Sequence, residues 1–204
     1  MEEHFKPVTS PVGMPPQADL DAALKLMRQA KRPLVITGRG AKGAGAALTQ
    51  WLTHLGAAYL DTGESRGLVP SDHPSVVAAM RGQVMGQADL VITVGRKLDF
   101  QLAYGSPAIF GQARFLRIAD HSAELRDNRR GEVELMGHVG QTLQALADGL
   151  AREPGQSDRA WLAGLREQHL SRSQKLKTTM AQAPNGTDGR MHPNKVLAAV
   201  QAVL

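Results

Sequence analysis

Apolar and polar residues follow two alternating patterns through the first 150 residues, and these patterns predict strands and helices in turn. Short apolar runs at 34–37, 57–60 and 89–95 are typical of strands that are buried on both faces of a parallel sheet. Amphipathic stretches at 19–30 and 46–55 place their apolar residues on one helical face. Elements in this order predict an α/β domain with a doubly wound sheet.

The later part of this region adds further elements of the same kind. Apolar runs at 115–119 and 133–136 predict two more strands, and 139–150 predicts an amphipathic helix that closes the domain. Together the runs indicate five or six mainly parallel strands with helices on both faces. Right-handed crossovers should connect these strands, as they do in nearly all parallel sheets.

Proline and glycine clusters divide the chain into three parts. Residues 1–17 contain four prolines and no periodic apolar pattern, which predicts an extended linker. The α/β domain then covers 18–150. Residues 151–204 form a helical tail, in which we expect a helix over 158–178 that packs poorly by itself and a last apolar helix beginning at Pro193. We therefore expect the chain to be a piece of a larger protein.

Composition excludes several classes of function. The chain has 204 residues and no cysteine, which excludes disulfides and a thiol nucleophile and agrees with a reducing, cytoplasmic setting. No stretch approaches the roughly 20 consecutive apolar residues of a membrane span, so no membrane contact is expected. The net charge of +5 lies mostly in the tail, which has 8 Lys/Arg against 4 Asp/Glu. A solvated helix face explains that excess, so we expect no nucleic-acid partner.

The most informative motif is a glycine turn between the first strand and the helix that follows it. Gly38, Gly40 and Gly43 form a Gly-x-Gly-x-x-Gly sequence in that position. Such glycines let the backbone bend tightly and leave helix amides facing a phosphate. The motif therefore predicts a nucleotide site. The alternative is that the three glycines serve only close packing and bind nothing.

Two other patterns carry less weight. Residues 63–67 match Gly-x-Ser-x-Gly, with Asp120 and His138 following in hydrolase order, but no helix begins directly after Ser65 as a nucleophile elbow requires. The seven histidines show no spacing typical of metal ligands. Neither a hydrolase nor a metal site is expected.

The order of the elements resembles the central domain of thiamine-diphosphate-dependent enzymes, the group that contains acetolactate synthase, oxalyl-CoA decarboxylase, 2-hydroxyacyl-CoA lyase and benzaldehyde lyase. The resemblance covers about residues 18–150. The segments that carry it are 30–33, 38–40, 67–74, 88–95 and 137–139.

The resemblance implies a Rossmann-like, six-stranded module that lies between a pyrimidine-binding and a diphosphate-binding domain. In that family the central domain holds FAD in acetolactate synthase, ADP in oxalyl-CoA decarboxylase, and nothing in several relatives. Thiamine diphosphate and Mg²⁺ act between the other two domains. Residues 1–17 resemble the linker that leaves the first, and 191–196 resemble the start of the second. The chain has no Gly-Asp-Gly motif for the magnesium and diphosphate. It should not catalyse alone, and we expect the parent enzyme to be a homo-oligomer.

Matching the family position by position implies a set of cofactor contacts in this chain. The matched residues are Gly38, Arg39, Gly40, Gly95, Arg96, Lys97, Asp99 and Asp120. The basic residues would offset phosphate charge, and Asp120 would accept a hydrogen bond from a ribose. Four departures count against FAD, among them Lys97 in the place of an arginine and His138 in the place of an aspartate. Asp99-Phe100 replaces an Asp-Asp pair, and Ala119 replaces one of two carboxylates at the end of the fourth strand. We expect the chain to purify without flavin.

Two rival functions remain open from the sequence. Asp61 follows the second strand, where an acid would bind the ribose of NAD in a conventional Rossmann domain of an oxidoreductase. Alternatively, the domain is a purely structural spacer. If a nucleotide binds, we expect it across the carboxyl ends of the first, second and fourth strands.

Overall fold

The computed structural model describes residues 12–184 and 190–203. Most of the predicted linker 1–17 and of the connector 183–189 lies outside these residues. In the described part, no helix is both long and apolar enough to cross a membrane.

The core of the domain is a parallel sheet of five strands. The order across the sheet is β2-β1-β3-β4-β5. The chain therefore adds β2 on one side of β1 and then crosses over to add β3, β4 and β5 on the other side. β1 and β3 are buried along their whole length, which explains their continuous apolar sequences. The strands are β1 (Pro33–Thr37), β2 (Ala58–Leu60), β3 (Leu90–Val94), β4 (Arg114–Ala119) and β5 (Val133–Met136).

The sixth strand of the predicted sheet is reduced to a single bridge in the described residues. Tyr59 donates its amide to Ser75 O at 2.7 Å and accepts from the Val77 amide at 3.3 Å, which places Val76 beside the outer edge of β2. A turn at His73 and a 3₁₀ turn beginning at Ala78 leave no room for a longer strand. With this bridge counted as a strand, the order is that of a Rossmann fold.

Helices cover both faces of the sheet, as predicted. Along β1, Val35 points into one apolar cluster, and Leu34 and Ile36 point into the other. α1, α2 and α5 bury one face, while α3, α4 and the start of α6 bury the other. The helices are α1 (Gln17–Gln29), α2 (Gly45–Leu55), α3 (Arg81–Gln87), α4 (Pro107–Phe110), α5 (Val139–Arg152), α6 (Arg159–Ala181) and α7 (Pro193–Gln201).

The first half of α6 packs firmly on the domain, so the expectation that the tail helix packs poorly by itself is wrong for this half. Leu162 and Leu165 are buried in the second cluster. Arg166 donates to the carbonyl oxygens of Val76 at 2.7 Å and Ser71 at 3.1 Å. Helical periodicity could not reveal this contact, because the guanidinium binds backbone carbonyls instead of acidic side chains. Further along, Leu170 and Leu176 are exposed.

Candidate functional site

The predicted glycines meet in one backbone contact between the loops that follow β1 and β3. A Cβ added to Gly38 would lie 2.5 Å from Gly95 O, and one added to Gly40 would lie 2.7 Å from Gly95 Cα. Gly95 has a φ of +54°, and a Cβ there would collide with the backbone of Gly40. Only glycine fits at these three positions, because the two loops touch through their main chains.

Two glycine amides of the motif form hydrogen bonds within the same contact, whereas the amides expected to face a phosphate are those of the helix that follows. Gly38 N–H donates to Val94 O at 3.0 Å, and Gly40 N–H donates to Gly95 O at 3.1 Å. A 3₁₀ turn at Arg39–Ala41 follows, and α2 begins only at Gly45. The glycine turn therefore packs two loops together, which favours the packing interpretation for these amides.

A cleft of about 420 Å³ lies beside this contact, over the carboxyl ends of β1, β3 and β4. A second cavity of about 180 Å³ adjoins it, and both are lined by Gly40, Lys42 and Asp120. The larger cleft is lined by Arg39, Gly40, Lys42, Lys97, Asp120, His121, Ala123 and Glu124. The loop after β2 does not line it, because Thr62 and Ser65 fold back onto Thr37 O. The cleft thus lies over a different set of strands from the first, second and fourth that we expected.

Arg39, Gly40, Lys97 and Asp120 are the predicted site residues that the structure brings together in this cleft. Arg39 is 81% exposed and forms an ion pair with Glu64 at 3.4 Å. Gly38 and Gly95 are buried. Arg96 and Asp99 are absent from the lining of both cavities.

Arg96 and Asp99 bind each other. Arg96 Nη1 donates to Asp99 Oδ2 at 2.7 Å, and Nη2 donates to Asp99 Oδ1 at 2.9 Å. These hydrogen bonds hold the pKa of the Asp99 carboxyl below its usual value. Asp99 also accepts from the Gln101 amide at 3.0 Å and caps the following 3₁₀ turn. The pair shapes a loop, and both Nη groups of Arg96 are already bonded, although its buried Nε has no hydrogen-bond partner.

A buried ion pair that the sequence did not reveal holds the cleft's other wall. Arg117 of β4 is 0% exposed and donates to both carboxylate oxygens of Asp127 at 2.7 and 2.8 Å. It also donates to Thr93 Oγ1 at 2.7 Å and to Glu124 O at 2.6 Å. Burial alone would raise the pKa of Asp127, but hydrogen bonds from Arg117 and the Leu98 amide outweigh it and lower the pKa. An arginine inside an apolar strand run was the available signal, because a buried charge needs a partner.

Glu124 is a second residue that the sequence did not single out. It is half-buried in the cleft wall, and burial, followed by the nearby charge of Asp120, raises its pKa. Lys97, His121 and Arg117 oppose that rise.

The weaker motifs have structural roles. Ser65 is buried in a hydroxyl network, where it accepts from Thr37 Oγ1 at 2.9 Å and donates to Thr37 O at 3.0 Å. Tyr59 bonds the same threonine hydroxyl, and burial raises the Tyr59 pKa to about 12. His138 caps α5 by accepting from the Gln141 amide at 3.3 Å.

Across the described ranges, no group of three or more His, Cys, Asp or Glu could hold a metal ion. Asp61 lines neither the cleft nor the adjoining cavity, which together we call the crevice.

Comparison with known proteins shows to which family the chain belongs. The chain is 30% identical over 166 residues to 2-hydroxyacyl-CoA lyase 1 of Mus musculus, covering 79% of this chain and 29% of the relative. It is 30% identical over 199 residues to a probable acetolactate synthase of Mycobacterium bovis, covering 95% of this chain and 34% of the relative. It is 27% identical over 139 residues to oxalyl-CoA decarboxylase of Escherichia coli, covering 67% of this chain and 25% of the relative.

The chain therefore spans about a third or less of the length of these relatives. The fold is also similar to an X-ray structure described as a candidate thiamin diphosphate-dependent enzyme from Mycobacterium smegmatis. The TM-score is 0.57 at 22% identity, over 71% of this chain and 29% of that one. The family described as "Thiamine pyrophosphate enzyme, central domain" matches residues 20–146. This chain belongs to that family of central domains.

Proposed function

We propose that this chain supplies the central domain of a thiamine-diphosphate-dependent decarboxylase, lyase or synthase of the acetolactate synthase type, and that its crevice binds an adenine nucleotide. The observation that carries the second part is the 420 Å³ cleft, which is lined by Arg39, Lys42 and Lys97 together with Asp120. Three cations suit a diphosphate, and a carboxylate suits the hydroxyl groups of a ribose.

Thiamine diphosphate and Mg²⁺ would act elsewhere in the parent enzyme. The described residues include no carboxylate or histidine cluster that fits a metal ion, and so offer no site for the magnesium that holds the diphosphate. The parent's pyrimidine- and diphosphate-binding domains would supply that site. We expect the chain alone to be inactive towards 2-oxo acids and 2-hydroxyacyl-CoA, and the parent to be a cytoplasmic homo-oligomer.

ADP suits the crevice better than FAD. The larger cleft is near the lower end of the volumes that small-molecule sites occupy, and a dinucleotide needs a longer site. Arg96 and Asp99, two of the residues matched to family cofactor contacts, already bind each other. A spacer role is the second candidate, because the glycine amides are used in the loop contact.

Calorimetric titration of the full chain with ADP, FAD and NAD tests the proposal. We expect ADP to bind and purified protein to show no flavin absorbance near 450 nm. Removing one charged hydrogen-bond partner costs about 1.5–3 kcal/mol, so Lys42→Ala should weaken ADP binding roughly ten- to a hundredfold. Lys25→Ala, on the exposed face of α1, is the control and should bind ADP unchanged.

Other outcomes would favour the rivals. NAD binding that is tight and abolished by Asp61→Ala would support a conventional Rossmann domain. Failure of the chain to bind any of the three nucleotides would support the spacer.

A further inference from the structure

Glu124 has a carboxylate oxygen with no hydrogen-bond partner. Its Oε2 is buried and unpaired, one of four such side-chain atoms in the described residues. The oxygen is turned against Gly40, where an added Cβ would lie 2.9 Å from it. Leaving a buried polar atom unpaired is unfavourable, and in native proteins such atoms usually have a functional or solvent-related explanation.

The backbone beneath this side chain is fixed. Arg117 Nη2 donates to Glu124 O at 2.6 Å, and the Glu124 amide donates to His121 O at 3.0 Å. The buried Arg117–Asp127 pair therefore holds Glu124 at the cleft wall. These bonds hold the backbone and leave the side chain free to turn, and the last torsion of a glutamate has a broad minimum. A small rotation would move Oε2 from Gly40 towards the cleft.

The surroundings of Glu124 define the chemistry that would satisfy it. Asp120 lies close enough to disfavour a second negative charge, whereas Lys97, His121 and Arg117 favour it. Two carboxylates in one cleft call for a ligand that donates hydrogen bonds. The basic residues that line the same cleft call for a ligand that also carries negative charge.

We infer that Glu124 determines the specificity of the crevice by accepting, together with Asp120, hydrogen bonds from the two adjacent ribose hydroxyls of an adenine nucleotide. The inference rests on the proposed nucleotide site and adds a second carboxylate to it. That second acceptor is supplied from the loop after β4, although the end of the strand itself carries Ala119.

The test compares ADP with 2′,3′-dideoxy-ADP, which lacks both hydroxyls, by calorimetry on the full chain. Wild-type protein should bind ADP about ten- to a hundredfold more tightly than the dideoxy compound. Glu124→Met keeps the length of the side chain but removes the charged acceptor. It should weaken ADP binding about tenfold and reduce the discrimination between the two ligands by a similar factor. Glu132→Met, at an exposed position on the same segment, is the matched control and should change neither value.

Thermal unfolding separates this role from a structural one. Removing an unpaired buried carboxylate should leave the melting temperature of Glu124→Met unchanged or raise it. If that variant does not fold, Glu124→Gln is measured instead and should reduce the discrimination about threefold. ADP binding with undiminished discrimination in the variant would overturn the inference and leave the nucleotide site standing. Failure of the wild-type chain to bind ADP would overturn both.

Discussion

Two contacts fix the loops at the carboxyl edge of the sheet, and they use opposite chemistry. Between the loops after β1 and β3, Gly38 and Gly40 pack on Gly95 through main-chain atoms alone. Between the loops after β3 and β4, Arg117 and Asp127 form a buried ion pair with further bonds to backbone carbonyls. The first contact depends on the absence of side chains. The second depends on two charges that compensate each other in a dry environment.

The difference shows which conspicuous residues remain for ligand binding. The glycines and the buried arginine both hold the cleft in shape, and their donors are already occupied. Ligand chemistry therefore falls to the side chains that line the open volume, above all Lys42, Lys97, Asp120 and Glu124. A residue that a motif singles out and a residue that faces a ligand are different things in this domain.

Breaking the ion pair should have the largest effect on stability. Arg117→Ala leaves the Asp127 carboxylate buried without its partner, and such a loss costs about 3–5 kcal/mol. Urea denaturation should show this decrease in the free energy of unfolding. Arg39→Ala removes an arginine from the pair with Glu64, in which both side chains are exposed, and should cause almost no change in stability. Equal effects of the two substitutions would show that the Arg117 pair contributes no more than a surface pair.

Breaking the glycine contact should rank second. Gly95→Ala combines a positive φ with a collision against the Gly40 backbone, and the two together should cost about 2–4 kcal/mol. Gly43→Ala is the matched control, since Gly43 has a φ of +87° but open space around it. It should lose only the conformational part, about 1 kcal/mol. The same denaturation experiment on both variants separates strain from collision, and similar losses would argue against the close loop contact.

The sheet could be predicted from the sequence more completely than the cleft. Continuous apolar runs such as Leu90–Val94 predict buried parallel strands because burial on both faces requires them. The sixth strand is hard to count from the sequence, because only the stretch around Val76 reaches the sheet edge. Asp127 lies ten residues from Arg117 in an irregular loop, so no periodic pattern links the two. Likewise, the Gly38 and Gly40 amides find their hydrogen-bond partners only when two distant loops meet in the fold, so the sequence gives no sign of these bonds.

Acid should weaken one contact and spare the other. Arg117 and the Leu98 amide hold the pKa of Asp127 below its usual value, so the stability from this pair is present above about pH 4 and is lost as the pH falls further. In Arg117→Ala, burial still raises the pKa of Asp127 but the hydrogen bond from Arg117 that lowers it is lost, so the stability lost at this group in acid becomes smaller. The difference in unfolding free energy between wild type and Arg117→Ala should therefore be smaller at pH 3 than at pH 7.

Gly95→Ala provides the comparison for this pH dependence. The main-chain atoms that meet between Gly40 and Gly95 do not titrate, so the cost of Gly95→Ala should change much less between pH 7 and pH 3 than the cost of Arg117→Ala. Urea denaturation at the two pH values measures both differences. A cost for Gly95→Ala that changes with pH as much as that of Arg117→Ala would mean that the two contacts are coupled and cannot be treated as separate supports of the cleft.

The smallest effect is expected at Arg96 and Asp99, which combine features of both contacts. Their ion pair is bidentate like the one at Arg117, but the Asp99 side chain is 37% exposed. Solvent screening should limit the cost of Asp99→Asn to about 0.5–1 kcal/mol. Because the residues lie outside the cleft lining, the ADP affinity of this variant should stay within twofold of wild type. A tenfold loss of ADP affinity without a loss of stability would show that Arg96 and Asp99 contribute to ligand binding, contrary to what their pairing in the structure indicates.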